Sequence, residues 1–164
     1  MSSNTQPSGS PSHAAVIRRV ALGMVALSLV QFLLGMGLNL FVTLSRHHPG
    51  TTGSNYFTRS FASVVWGLSH FGLLPIHVGV GIVLFLGGAR LAESAFRAPR
   101  LRVRTYSVVG ALAVLAAGFN GASFLDFNFD LNSMLMAVLF AIATMAFALV
   151  AVRAALAQAA EPSG

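Results

Sequence analysis

The amino-acid sequence predicts an all-α, polytopic membrane protein: four transmembrane helices in a bundle, with one amphipathic helix on the outer leaflet. Three observations predict it. Of 164 residues, 55% are hydrophobic and only 9% charged, against about 45–50% and about 25% in a soluble domain, so the chain lacks the polar surface to cover a globule. Four continuous apolar runs each approach the roughly 20 residues that a helix needs to cross about 30 Å of hydrocarbon. The ten basic residues are all arginine and stand at the ends of those runs, as membrane topology requires, which removes the nucleic-acid reading that a formal charge of +6 invites. The lipid bilayer is therefore the expected surrounding, and nucleic acid is not a partner. With no cysteine in the chain, disulfides and thiolate metal sites are excluded.

Residues 1–15, rich in Ser, Pro, Gly and Asn, have no apolar periodicity and read as a disordered cytoplasmic tail. Span one is Val20–Leu44. A basic pair precedes it, as in a secretory signal, but it is longer than the usual 7–15-residue signal core and no A-x-A site follows, so it is expected to stay as a membrane span. Span two is Leu73–Ala89, extended upstream toward Val64; span three is Tyr106–Leu125, and span four is Ser133–Val152. Continuous rather than alternating hydrophobicity makes them helices and not barrel strands. The four spans form one domain, 16–155, followed by a short cytoplasmic tail, 156–164.

Arg18, Arg19, Arg90, Arg97, Arg100, Arg102, Arg104 and Arg153 fall on one side of these spans, and Arg46 and Arg59 on the other. By the positive-inside rule both termini are cytoplasmic, in a multi-pass protein of the cell membrane, and the 46–72 connection and the 126–132 turn face outward. Within that connection Phe57, Phe61, Val64, Val65, Leu68 and Phe71 recur at helical spacing, with Arg59, Ser60, Ser63 and His70 largely off the stripe. Tyr56 and Trp66 favour the headgroup level, so an amphipathic helix is expected on the outer leaflet or leading obliquely into span two, with Pro75 as a kink or as the start of the buried part.

Polar side chains inside spans are costly and mark the candidate site: Gln31, Asn39, His77 and Asn120. Counted from the flanking charges, Asn39, His77 and Asn120 all lie about 9–10 Å beneath the outer boundary, and Gln31 about 18 Å above Arg19. A buried polar cluster in the outer third is expected, bracketed by glycines that let helices approach closely. The bland account of such a cluster is interhelical hydrogen bonding at about 0.6 kcal/mol per bond. The sharper one is haem b, with His77 paired to His47 or His48, or to Met134 or Met136. His70 cannot be the second ligand, because it would share one helix face with His77 if the helix ran through Pro75. His47, His48, His70, Asp126 and Asp130 could also converge on a metal, although no tight local spacing supports it. In the turn 123–133, Asp126, Asn128 and Asp130 are expected to meet water or the span-four N-terminus, with an ion pair from Asp126 or Asp130 to Arg59 or Arg46. Neither a nucleophile–base arrangement nor a phosphate-binding G-x-x-x-x-G-K-[ST] loop is legible, and an enzyme is the least supported class.

The segments "VQFLLGMGLNLFVTL", "RHHPG" with "SNYF", "IHVGVGIVLFLGGARLA" and "AGFNGASFLDF" resemble an uncharacterised family of small four-span integral membrane proteins of high-GC Gram-positive bacteria, over about residues 20–152. The resemblance implies four spans and no particular activity. A looser likeness joins the chain to compact membrane proteins with a Gln in span one and a His-x-x-x-Gly pattern in span two, matched by Gln31 and by His77 with Gly81. Some of these bind haem, but the histidine expected on the last span is missing here. The resulting expectation is a non-enzymatic packing or partner-binding unit, its partner another membrane protein or a second copy, with a haem- or metal-binding redox subunit as the alternative.

Overall fold

A computed structural model describes residues 12–45, 47–97 and 101–160, which form five α-helices. They are α1 (His13–Phe41), α2 (Tyr56–His70), α3 (Leu73–Phe96), α4 (Leu101–Phe127) and α5 (Asp130–Ala159), with a short 3-10 turn at Pro49–Thr51 before α2. All but α2 are long and apolar enough to cross a membrane. Each of the four long helices packs on its neighbours in sequence, and α5 closes the ring by packing on α1, which gives an up-and-down bundle. One end of it, the terminal end, carries the start of α1, the α3–α4 connection and the end of α5. The opposite end, the loop end, carries residues 42–72 and the α4–α5 turn.

The helices overrun the predicted spans. The Ser12 hydroxyl accepts from Ala15 N–H and caps α1, so His13–Ala15 are helical rather than part of a tail. The rest of that predicted tail, 1–11, lies outside the described residues, as do 161–164. At the other terminus Ala154 and Ala157 are buried in the bundle, and α5 therefore continues to Ala159. Conversely α1 stops at Phe41, because Val42 is extended (φ −111°, ψ 114°), three residues short of the predicted boundary. Helix α2 does not lead into span two. Phe71 is extended and Gly72 starts afresh, which places Pro75 in the first turn of α3, where its missing N–H leaves no helical bond unmade.

The core lies toward the terminal half of the bundle. Buried small residues on α5, Ala143, Ala146, Val150, Ala151 and Ala154, let it approach both α1 and α4. Among them Phe147 is wholly buried, its ring seated in a notch between Gly88 of α3 and Gly110 of α4. At the loop end α4 and α5 are joined by Asn128, whose φ of 48° is tolerated by Asn better than by most residues. Its side-chain amide donates to Leu44 O at 2.9 Å, tying the chain after α1 to the turn.

Candidate functional site

The structure divides the predicted polar residues between two places. The first is the α1–α3 interface, where Gln31 and His77 meet at 3.2 Å. Gln31 Nε2 carries hydrogens and no lone pair, so it donates to His77 Nε2, which leaves the imidazole proton on Nδ1. Each side chain lies against a glycine of the opposite helix, one turn on from its partner. A Cβ at Gly35 would stand 3.2 Å from His77 Cε1, and one at Gly81 would stand 3.3 Å from Gln31 Nε2. The repeated spacing, Gln31-x-x-x-Gly35 and His77-x-x-x-Gly81, is thus a reciprocal clasp: each helix supplies one polar group and the space for the other. Among the described residues, His77 Nδ1 and Gln31 Oε1 are buried without hydrogen-bond partners.

The expected cluster of Asn39, His77 and Asn120 is not formed. Asn39 is exposed in the last turn of α1: the helix ends at Phe41 and extended chain follows, so a helical rise counted from Arg46 does not give its depth. Asn120 donates to Ala116 O, four residues back on its own helix, at 3.0 Å. Among the described residues this bond within α4 is the hydrogen bond that the Asn120 side chain makes, and it competes with any bond to another helix. Exchanging Gly35 for Leu should separate the clasp where Gln31→Leu merely deletes it. We expect about 0.6 kcal/mol from Gln31→Leu and about 1–3 kcal/mol from the overpacked variant, measured as unfolding free energy in mixed micelles.

The second place is the loop end, where the chain 42–72 folds onto the last turns of α4. Asp126, 1% exposed, accepts from Arg59 Nη2 at 3.2 Å. The guanidinium also lies over the Phe127 ring, 4.9 Å from its centre. Ser123 donates to Phe119 O and in turn accepts from the Tyr56 hydroxyl. Tyr56 stacks on Phe127, and Phe127 on Phe129. His48 accepts from Gly50 N–H at Nδ1 (3.1 Å), so its Nε2–H donates to Leu125 O (2.9 Å). Ser63 donates to Gly50 O and so joins α2 to the 3-10 turn. The Trp66 ring is sandwiched between His48 (4.3 Å) and His70 (4.4 Å). His70 Nδ1 donates to Trp66 O at 2.7 Å, closing the last turn of α2.

The predicted ion pair is therefore formed between Arg59 and Asp126; Arg46 lies outside the described residues. Asp126 does not meet water, contrary to the expectation, because α2 covers it. Asp130 is exposed as the first residue of α5, where its charge complements the helix dipole, but it makes no side-chain cap. His47 is exposed and apart from the other histidines' contacts. Among the described residues no three His, Asp or Glu side chains are close enough to share a metal ion. The donor set does not fit the proposed haem pairing either. His48 has both ring nitrogens engaged, by Gly50 N–H of the 3-10 turn and by Leu125 O of α4, and His77 lies against Gln31 between α1 and α3.

Sequence reasoning missed how α2 docks. Ser60, Ser63 and Gly67 are its buried residues, so the small polar face packs on the protein. The apolar stripe points away: Phe57 is 70%, Phe61 71% and Val65 52% exposed. The signal was present in the sequence, small residues at i, i+3 and i+7 opposite the stripe. Compared with family models, curated proteins and solved structures, the chain matches none.

Proposed function

We propose that the chain is a non-enzymatic, multi-pass unit of the cell membrane, with both termini cytoplasmic, that packs with another membrane protein or a second copy of itself. The observation that carries this reading is the use of its polar side chains. Gln31 pairs with His77, Arg59 with Asp126, Tyr56 with Ser123 and His48 with Leu125 O, each contact internal to the chain, although His77 Nδ1, Gln31 Oε1 and Asp126 Oδ2 have no hydrogen-bond partner among the described residues. Polar chemistry of this kind fixes a shape. The outer faces of α1, α3, α4 and α5 and the stripe on α2 remain apolar and uncovered, as surfaces bound for lipid or for a membrane partner must be. The resemblance to four-span proteins of high-GC Gram-positive bacteria agrees with this architecture and adds no activity.

The absorption spectrum and metal content of detergent-purified protein test the reading. A colourless, metal-free and fully helical preparation is expected. A Soret band that disappears in His77→Ala would replace it with a haem-binding redox subunit. Orientation is tested separately, and the absence of native cysteine makes this simple. Single cysteines at 50–55 should react with an impermeant thiol reagent on intact cells, and those at 98–104 only after lysis; the reverse pattern would invert the topology.

A further inference from the structure

One imidazole joins the 3-10 turn Pro49–Thr51 to both α4 and α2. His48 is 9% exposed. Its Nδ1 accepts from Gly50 N–H at 3.1 Å and its Nε2–H donates to Leu125 O of α4 at 2.9 Å, while its ring lies on Trp66 of α2. Gly50 is clamped in turn on α2: its carbonyl accepts from Ser63, and a Cβ on it would stand 2.8 Å from Ser63 Cα. Only the neutral imidazole can make both of its bonds, because it has one N–H and one lone pair, whereas the charged ring carries N–H at both nitrogens. A second proton would set Nδ1–H against Gly50 N–H and leave the amide of a buried glycine without its acceptor.

The other titratable groups around the ring either act in the same direction or are indifferent. On α4, Asp126 follows Leu125 and is used as the carboxylate by Arg59 of α2, so a proton there also weakens docking. Tyr56 of α2 is used neutral, as the donor to Ser123, and acid leaves it unchanged. His70 stacks on the far face of Trp66 and donates from Nδ1 to Trp66 O, so a proton at Nε2 of this exposed ring displaces no hydrogen bond among the described residues. His47, beside His48 in the chain, is exposed. The Trp66 face and Leu125 O would both favour a charged His48 ring, but neither accepts the proton at Nδ1. The docked arrangement thus uses His48 neutral and Asp126 charged, each in its less protonated form, and proton uptake is linked to release.

We propose that His48 is a proton-operated latch: the neutral ring holds the 3-10 turn and α2 on α4, and the charged ring lets them go. The test uses the full chain in lipid nanodiscs with a cysteine in place of Ser60, which is buried and whose hydroxyl has no hydrogen-bond partner to lose among the described residues. Its rate of labelling by a water-soluble maleimide, divided by that of a cysteine at exposed Ser54, follows the opening of α2 and cancels the pH dependence of the thiol itself. For one proton excluded from the docked state and taken up by an ordinary imidazole on release, the ratio should rise about thirtyfold from about pH 7.5 to about pH 5. In H48N it should stay flat, because an Asn oxygen accepts from the N–H two residues on and takes up no proton. In D126N the rise should remain. A flat ratio in the parent, an undiminished rise in H48N or a lost rise in D126N would overturn the proposal. If a variant is already open at neutral pH, nitrogen-15 spectra of the histidine rings in the parent decide. His48 should pass from one protonated nitrogen to two along the same curve as the labelling. A ring that stays neutral while position 60 opens, or becomes charged while position 60 stays protected, would overturn the proposal equally.

Discussion

Replacing Arg59 with alanine should release α2 from α4 at a loss of about 2–4 kcal/mol. Asp126 is left as a carboxylate with no exposed side-chain surface and no counter-charge. Breaking a buried pair costs about 3–5 kcal/mol, and the lower range applies because the Arg59 side chain keeps 35% of its surface exposed. The Arg59–Phe127 contact and the cover over Asp126 disappear with it. A cysteine placed at buried Ser63 reports the event: protected from a water-soluble maleimide in the parent, it should become reactive in Arg59→Ala. Replacing Arg59 and Asp126 together by leucine should restore much of the protection, because no charge is then stranded. Continued protection in the single variant would mean that the ion pair does not hold the helix down.

The second large effect is expected in the core. Phe147 is wholly buried, and truncation to alanine should cost about 3–5 kcal/mol through lost contact and the remaining cavity. The notch that receives its ring is equally sensitive. A Cβ on Gly110 would stand 2.6 Å from Phe147 Cε1 and 2.9 Å from Cδ1, so either the ring or the helix must shift. Gly110→Ala should destabilise by about 1–3 kcal/mol by overpacking. Because both substitutions act on one contact, their effects should not add. Thermal unfolding of the detergent-solubilised protein measures all three variants, and additive losses would indicate that Gly110 acts elsewhere.

The four spans were legible because the period and length of an apolar run record the solvent around it. The clasp was legible in part. Gln31 is twelve residues from Arg19 and His77 thirteen from Arg90, which puts both about 18–20 Å above the terminal-end arginines. The contact observed at 3.2 Å is consistent with that agreement, but the same depths, set against the outer boundary, also put His77 level with Asn39 and Asn120, and so did not single out Gln31 as its partner. Depths counted from the loop end failed for a physical reason: Arg46 follows a stretch of extended chain, and a helical rise does not apply across it. For Asn120 depth was not the issue, since the competing acceptor was Ala116 O within the same helix. The fit of α2 was hidden because an apolar stripe says which face avoids water but not what the other face meets. Here the other face meets the 3-10 turn, where Ser63 lies against Gly50, and the start of α3, where Gly67 lies against Leu74; Ser60, Ser63 and Gly67 are small enough to let α2 come close.

The placement of α2, small polar face on the protein and apolar face in lipid, is open to a direct measurement. Spin labels at 57, 61 and 65, and separately at 60, 63 and 67, should be compared by power-saturation electron paramagnetic resonance in lipid vesicles. The first set should collide with oxygen, which partitions into hydrocarbon, far more than with a water-soluble nickel chelate; the second should be shielded from both. Labels at 60, 63 and 67 open to either reagent, with 57, 61 and 65 shielded, would contradict it.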